Sequence, residues 1–209
     1  MPNWCVTDIS INCEDEAAAN KLYSNIKEWT STEYYKNDFG NGWLGNIVGN
    51  SGIDFMQDEK DFSEVRCRGT LIYLDVSNEQ VILSTETAWT PMLKMWEKIC
   101  NKYLGINRYE LLYSAEEPGC GIFCTNDPTR VGTYSIQIFP APETEKLCEI
   151  AGMDSDYDLP KSEVMSILQK YLETDEEDMN TLLAKFDDDP AADHAEIKKM
   201  KFVESTDWN

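Results

Sequence analysis

The first regular pattern in the chain is WCVTDISIN at residues 4–12, where Trp4 and Val6 alternate with polar neighbours and Ile9 and Ile11 take the opposite phase. Alternation of period two marks a strand with one buried face, and the slip near Asp8 predicts a bulge there. Asn12 to Glu14 can cap a following helix, and Ala18, Leu22, Ile26 and Trp29 recur at helical spacing over 15–29. Residues 30–63 are rich in Gly, Asn, Asp, Ser and Tyr and predict a long loop.

Residues 65–75 and 79–87 predict two strands joined by a turn at Ser77 and Asn78. Thr90 followed by Pro91 has the order of a helix cap and a first helical proline. Leu93, Trp96, Ile99, Cys100 and Tyr103 then mark one helical face, and Gly105 ends it. Three more strands are predicted at 108–116, 120–125 and 132–139. The order contains a β-α-β-β-α-β unit. The fold class expected is α+β, a ferredoxin-like antiparallel sheet with two helices on one face, extended by a hairpin.

Pro140 and Pro142 mark a change of character. Helical segments are predicted at 143–151, 161–173, 176–186 and 191–201, with Val164, Ile167, Leu168 and Tyr171, then Met179, Leu182, Leu183 and Phe186, at spacings that let them pack. This divides the chain into a domain at 1–140 and an acidic, helical C-terminal region at 141–209.

Composition changes the picture in two ways. At 209 residues and 42% hydrophobic, the chain can build a packed core despite a formal charge of −21. No run approaches the roughly 20 apolar residues that span a bilayer, and the first apolar run reads as a strand rather than a signal peptide. A soluble, cytoplasmic protein is expected, with its seven cysteines as free, buried thiols. The charge is the more unusual feature. Residues 141–209 hold 19 acidic and 7 basic side chains, a net of −12, against 20 and 11, a net of −9, in residues 1–140. Direct binding to nucleic acid or to an anionic membrane is disfavoured, because phosphate contacts need Lys and Arg. An acidic face can dock on a basic protein surface, or it can simply be solvated.

Candidate chemistry is sparse. Cys120 and Cys124 on one strand would stand about 13 Å apart at ~3.3 Å per residue, too far to share a metal or a disulfide. Asp154, Asp156 and Asp158 copy the first ligand positions of a calcium loop, but Leu159 and Met165 stand where Gly and Glu are needed. A charged loop, with Pro160 opening a helix near Lys161, is expected instead. The single histidine, His194, has no partner in the sequence pattern. Neighbouring acids Glu116 and Glu117 would face opposite sides of a strand and so do not form a catalytic pair. No metal or other cofactor and no enzymatic activity is expected. In the acidic runs Asp175-Glu176-Glu177-Asp178 and Asp187-Asp188-Asp189, the first can complement a helix start, with Thr174 or Asp175 as cap. The second, three adjacent carboxylates, offers a spacing like that of a phosphate backbone.

Three segments together resemble a known family: Pro2-Asn3-Trp4-Cys5, Thr87-Ala88-Trp89-Thr90-Pro91, and Tyr113-Ser114-Ala115-Glu116-Glu117-Pro118-Gly119 with Phe123. The chain is similar over residues 1–139 to the YubB-like proteins of phages and conjugative plasmids, whose N-terminal portion is described as ferredoxin-like. It departs from them at Thr7, where the family has Asn, and at Arg68-Gly69-Thr70, where it has Trp-Gly-Thr. The resemblance implies a mobile-element setting and carries no enzymatic activity. The function expected is binding and inhibition of a host defence protein, a nuclease or immune complex with a basic channel, in the host cytoplasm. The seven carboxylates of the two acidic runs are the candidate contacts. The alternatives are a small-ligand pocket at Trp4, Trp89, Glu116 and Glu117, with the tail as a dimerisation element, or a structural accessory protein that forms homo-oligomers.

Overall fold

Strand β1 (Trp4–Cys13) pairs in unbroken register from Trp4 opposite Ala88 to Asn12 opposite Gln80. No bulge occurs at Asp8. Cys5, Thr7, Ile9, Ile11 and Cys13 are the buried positions, so Trp4 and Val6 belong to the other face. The apparent phase slip is therefore a pair of apolar residues placed outward, not a kink. The bulge lies instead in β2 (Gly69–Ser77), between Leu71 and Tyr73, where it pairs with β3 (Gln80–Ala88).

The structure, a computed structural model, describes residues 3–34, 40–53, 67–152 and 155–208. It separates into two units, residues 1–127 with 202–209, and residues 128–201. The expected boundary at 140 thus moves back, and the last residues of the chain return to the first unit.

The first unit is built on a six-stranded sheet of order β2-β3-β1-β4-β5-β9, with β4 (Tyr109–Glu117), β5 (Ile122–Thr125) and the short β9 (Lys201–Phe202). The β2–β3, β3–β1, β1–β4 and β4–β5 pairings are all antiparallel. Helices α1 (Glu16–Ser31), α2 (Leu44–Asn50) and α3 (Leu93–Tyr103) share one core with the inward side chains of β1, β3 and β4. In α1 the buried residues are Ala19, Leu22, Ile26 and Trp29, one stripe at three- and four-residue spacing. Asp15 caps it, its carboxylate accepting from Ala18 N at 2.7 Å. Helix α2 occupies part of the stretch expected as loop; residues 35–39 and 54–63 of that stretch lie outside the described residues. Helix α3 buries Leu93, Met95, Trp96, Ile99 and Cys100 and stops at Gly105, whose φ is +101°. Thr90 is not its cap. Met92 holds that position without a side-chain bond, and the Thr90 carbonyl instead accepts from Thr87 Oγ1 at 2.8 Å.

The second unit centres on β6 (Tyr134–Ile138), flanked antiparallel by β7 (Ser155–Leu159) and β8 (Ala195–Lys199). With α4 (Glu145–Ala151), α5 (Lys161–Leu172) and α6 (Met179–Asp187) it encloses its own core around Ile136, Leu147, Val164, Leu168, Leu182 and Phe186. Three expectations change here. Strand β6 forms no hairpin with β5 in the first sheet. Residues 155–159 are a strand where a charged loop was expected, and Asp154 lies outside the described residues. Residues 195–199 are a strand rather than a helix. Pro190 begins a 3-10 turn at 190–193, after which Ala195 is buried and Ile197 pairs with Ile136. With the true boundaries, the second unit carries 17 acidic and 8 basic side chains, a net of −9 over 74 residues, and the first 22 and 10, a net of −12 over 135. The acid is spread over both units more evenly than a division at 140 indicates. Among the described residues no helix is long and apolar enough to cross a membrane.

Candidate binding face

The three segments singled out in the sequence meet at one end of the first sheet. Trp4 and Cys5 pair with Ala88 and Thr87, and Val6 pairs with Glu116. Asn3 joins all three: its carbonyl accepts from Trp89 N at 2.9 Å, and its amide nitrogen lies where a Cβ on Gly119 would come within 2.1 Å. A larger residue at 119 would have to push the Asn3 side chain aside. Trp89 has φ +73°, a backbone conformation that bulky residues rarely adopt, and its side chain is exposed. The conformation is held by the Asn3 bond on one side and by the Thr87–Thr90 bond on the other.

From this end, the uncovered face of the sheet runs down β2, β3, β1 and β4 in cross-strand rows. One row holds Glu86, Val6 and Glu116; the next holds Tyr73, Ser84, Asp8 and Ser114. Asp75 stands opposite Ile82, and Glu110 closes a polar row in which Gln80 Nε2 donates to Asn12 Oδ1 at 2.8 Å and Asn12 Nδ2 to Glu110 at 2.9 Å. The Ser84 hydroxyl donates to the Asp8 carboxylate, and Tyr73 Oη donates to Asp75 at 3.1 Å. That last bond, with the charge of Asp75, pushes the Tyr73 phenol above its ordinary range. Among the described residues, five carboxylates share these rows and no Lys or Arg does. Arg68, whose carbonyl accepts from Ala88 N, stands across Ala88 from Trp4 at the end of the sheet. Three apolar residues of this face are unusually open: Trp4 50%, Tyr73 50% and Val6 41%. A solvated face needs none of these.

Of the four expected pocket residues, Trp4, Trp89 and Glu116 belong to this face or its end. Glu117 does not. It is 3% exposed, on the helix-covered side, and its carboxylate accepts from Gly119 N at 3.1 Å and from Cys120 N, capping a 3-10 turn at 118–120. Cys120 is accordingly in a turn rather than on the strand with Cys124. It is exposed and Cys67 and Cys148 are half-buried, whereas Cys5, Cys13, Cys100 and Cys124 are buried, so the expectation of seven buried thiols holds for four of them. The Glu117 carboxylate pushes the Cys120 thiol up.

The acidic runs divide in the same way. Asp178, not Thr174 or Asp175, caps α6: its carboxylate accepts from Thr181 N at 2.9 Å, which holds it below the usual range. Glu176 accepts from Asp178 N and lies 3.6 Å from Lys185 Nζ. Asp189 accepts from Tyr171 Oη at 2.7 Å and from Ala191 N at 2.9 Å. Asp175, Glu177, Asp187 and Asp188 are left as exposed carboxylates. The comb of three adjacent acids is thus broken by one that serves the fold.

Sequence reasoning missed Asp8, Tyr73, Asp75 and Glu86. The signal for them was present in Trp4 and Val6, apolar residues out of phase with a buried strand face. A separate cleft of about 180 Å³ between α1 and the end of α3 is lined by Glu14, Lys21, Tyr103 and Arg108, and there Arg108 Nε donates to Glu14 at 2.8 Å. Compared with family models, with curated proteins and with solved structures, the chain matches none of them.

Proposed function

We propose that this protein is a non-enzymatic, acidic binding module of a phage or mobile element that occupies the basic surface of a host defence protein. The observation that carries the reading is the charge. With 39 acidic and 18 basic side chains, at least 21 carboxylates have no cation of their own within the chain. Such an excess costs stability through self-repulsion, and a cationic partner recovers that cost on binding. The first unit's β-α-β-β-α-β order, with α2 inserted between α1 and β2, and its strand arrangement β2-β3-β1-β4 support a ferredoxin-like reading and, with the three convergent segments, the YubB-like resemblance. The cytoplasm of the host is the setting in which such a partner would be met.

The test has two steps. The tagged protein is used to capture partners from host lysate at low and high salt, and any captured nuclease or defence component is then purified and titrated with the chain. Salt-sensitive binding accompanied by stoichiometric loss of the partner's activity supports the reading. Binding without inhibition, or no specific capture, removes it.

A second reading has one observation in its favour, the strained backbone of the exposed Trp89 beside Trp4. It makes that end of the sheet a small-ligand site. Binding there would survive high salt, which the charge-driven complex would not.

A further inference from the structure

The reading above leaves open which carboxylates meet the partner, and the acidic runs of residues 175–189 are the obvious choice from the sequence. The geometry favours the other unit. In residues 175–189, Asp178 caps a helix and Asp189 holds a tyrosine and a turn, so what remains exposed is a scatter of charge with no exposed large apolar side chain among it. On the uncovered face of the first sheet, carboxylates and exposed apolar groups share neighbouring cross-strand rows. Val6 lies between Glu86 and Glu116 in one row, and Tyr73 lies in the next row with Asp8. Opposite residues in neighbouring strands stand roughly 5 Å apart, so Glu86 and Glu116 flank Val6 within reach of one bound side chain. Tyr73 has Asp75 at hydrogen-bond distance and Asp8 beyond Ser84.

That pattern has a definite chemical complement. A guanidinium or ammonium group can lie flat on an indole or phenol ring while its N–H groups reach a neighbouring carboxylate, and its alkyl stem covers Val6. Neither a bare cation nor a neutral apolar partner uses both halves of the face. The charge complementarity and the open Trp4 and Tyr73 rings point to one occupant.

Resting on the binding-module reading, we propose that the uncovered face of the β2-β3-β1-β4 sheet is the docking surface, and that its occupant is an arginine- and lysine-bearing segment of a partner protein. The rings of Trp4 and Tyr73 receive the cationic side chains, and Asp8, Glu86 and Glu116 neutralise them. The exposed acids of residues 175–189 contribute long-range attraction but no contact.

The experiment uses the full chain and, as probe, a synthetic 12-residue peptide of alternating Arg and Val, with its Glu-for-Arg counterpart as control. Binding is followed by NMR titration at 150 mM salt, reading indole N–H and methyl signals. Saturable shifts at the Trp4 indole and the Val6 methyls are expected, with no shifts for the control peptide. Glu86→Gln/Glu116→Gln should weaken the peptide at least tenfold, while Asp175→Asn/Asp187→Asn/Asp188→Asn should weaken it less than threefold. Circular dichroism confirms that each variant is folded, and Trp4→Phe, which keeps an aromatic ring, serves if the charge variant is not. If the shifts map to residues 173–188 and the second variant loses binding instead, this face is not the contact although the acidic-module reading stands. If the peptide binds nowhere saturably, both fall.

Discussion

The indole Nε1 of Trp208 donates to the hydroxyl of Tyr113 at 2.6 Å, and that hydroxyl in turn donates to the Val203 carbonyl at 2.8 Å. Tyr113 is 2% exposed on β4, so a buried strand residue holds two points of the chain's last segment. Ser205 Oγ adds a bond to Glu97 on α3 at 2.5 Å. Replacing Tyr113 by Phe leaves both the Val203 carbonyl and the Trp208 N–H without this partner, a loss of about 1–3 kcal/mol. Trp208→Phe removes one bond and keeps a smaller aromatic ring against the core, and should cost less. Urea denaturation followed by circular dichroism measures both; a Tyr113→Phe midpoint equal to that of the parent would show that the segment does not depend on this hydroxyl.

Stability should fall on the alkaline side, and the direction follows from buried acids held protonated. Desolvation raises Cys5 from 9.0 to about 12 and Tyr109 from 10.0 to about 12, and burial pushes the Tyr113 phenol up as well. Each folded-state pKa lies above its unfolded value. The stabilisation is therefore complete below about pH 9 and is lost progressively as pH rises toward 12. Thermal melts at pH 7, 9 and 10.5 should show little change over the first interval and a clear drop over the second. Cys5→Ala, which removes one of these groups, should flatten the drop. A melting temperature constant to pH 10.5 contradicts the assignment.

Asp189 and its neighbours separate a folding role from a surface role within three residues. Asp189→Ala removes the acceptor of Tyr171 Oη and of Ala191 N, and should destabilise by about 1–3 kcal/mol. Asp187→Asn and Asp188→Asn touch exposed side chains and should lie within about 0.5 kcal/mol of the parent. The comparison is made by denaturant unfolding of the three single variants. Equal effects at the three positions would remove the distinction.

How far these roles could be read beforehand depends on whether the determining contact is local. The helical stripes of α1, α3, α5 and α6 were legible because their apolar spacing is set within each helix, and Ile26, Ile99, Leu168 and Leu182 are all fully buried or nearly so. Residues 195–199 were not. Their mixed Ala, Glu, Ile and Lys suit a helix, and only pairing with β6 makes them a strand. The same limit applies to the site. Trp4 and Val6 were visible as apolar residues out of phase, but Glu86 and Asp8 become part of one surface only through the register of three strands. Glu117 misled for the opposite reason. An acid beside Pro118-Gly119 looks like a cleft carboxylate, yet the turn bends back so that its own amides fill the carboxylate's bonds.

Cys120 offers the last test, because its reactivity reports on that turn. It is the exposed thiol among the seven, while Cys5 and Cys100 are fully buried and shifted upward. A thiol reagent at pH 8 should therefore modify Cys120 first in the folded chain, and Cys120→Ser should abolish the fast phase. The Glu117 hydrogen bond is the largest cause of the rise in the Cys120 pKa, with the Asn3 amide acting the other way. Glu117→Gln takes away the negative charge and should raise the thiolate fraction and the modification rate severalfold. Gly119→Ala forces Asn3 aside, since its Cβ would sit 2.1 Å from Asn3 Nδ2 and 3.0 Å from Glu117 Oε1, and it should disturb the turn. The rate in that variant should then approach that of a free cysteine. A Glu117→Gln protein that reacts more slowly than the parent would mean that the carboxylate activates the thiol, as a base, rather than suppressing it.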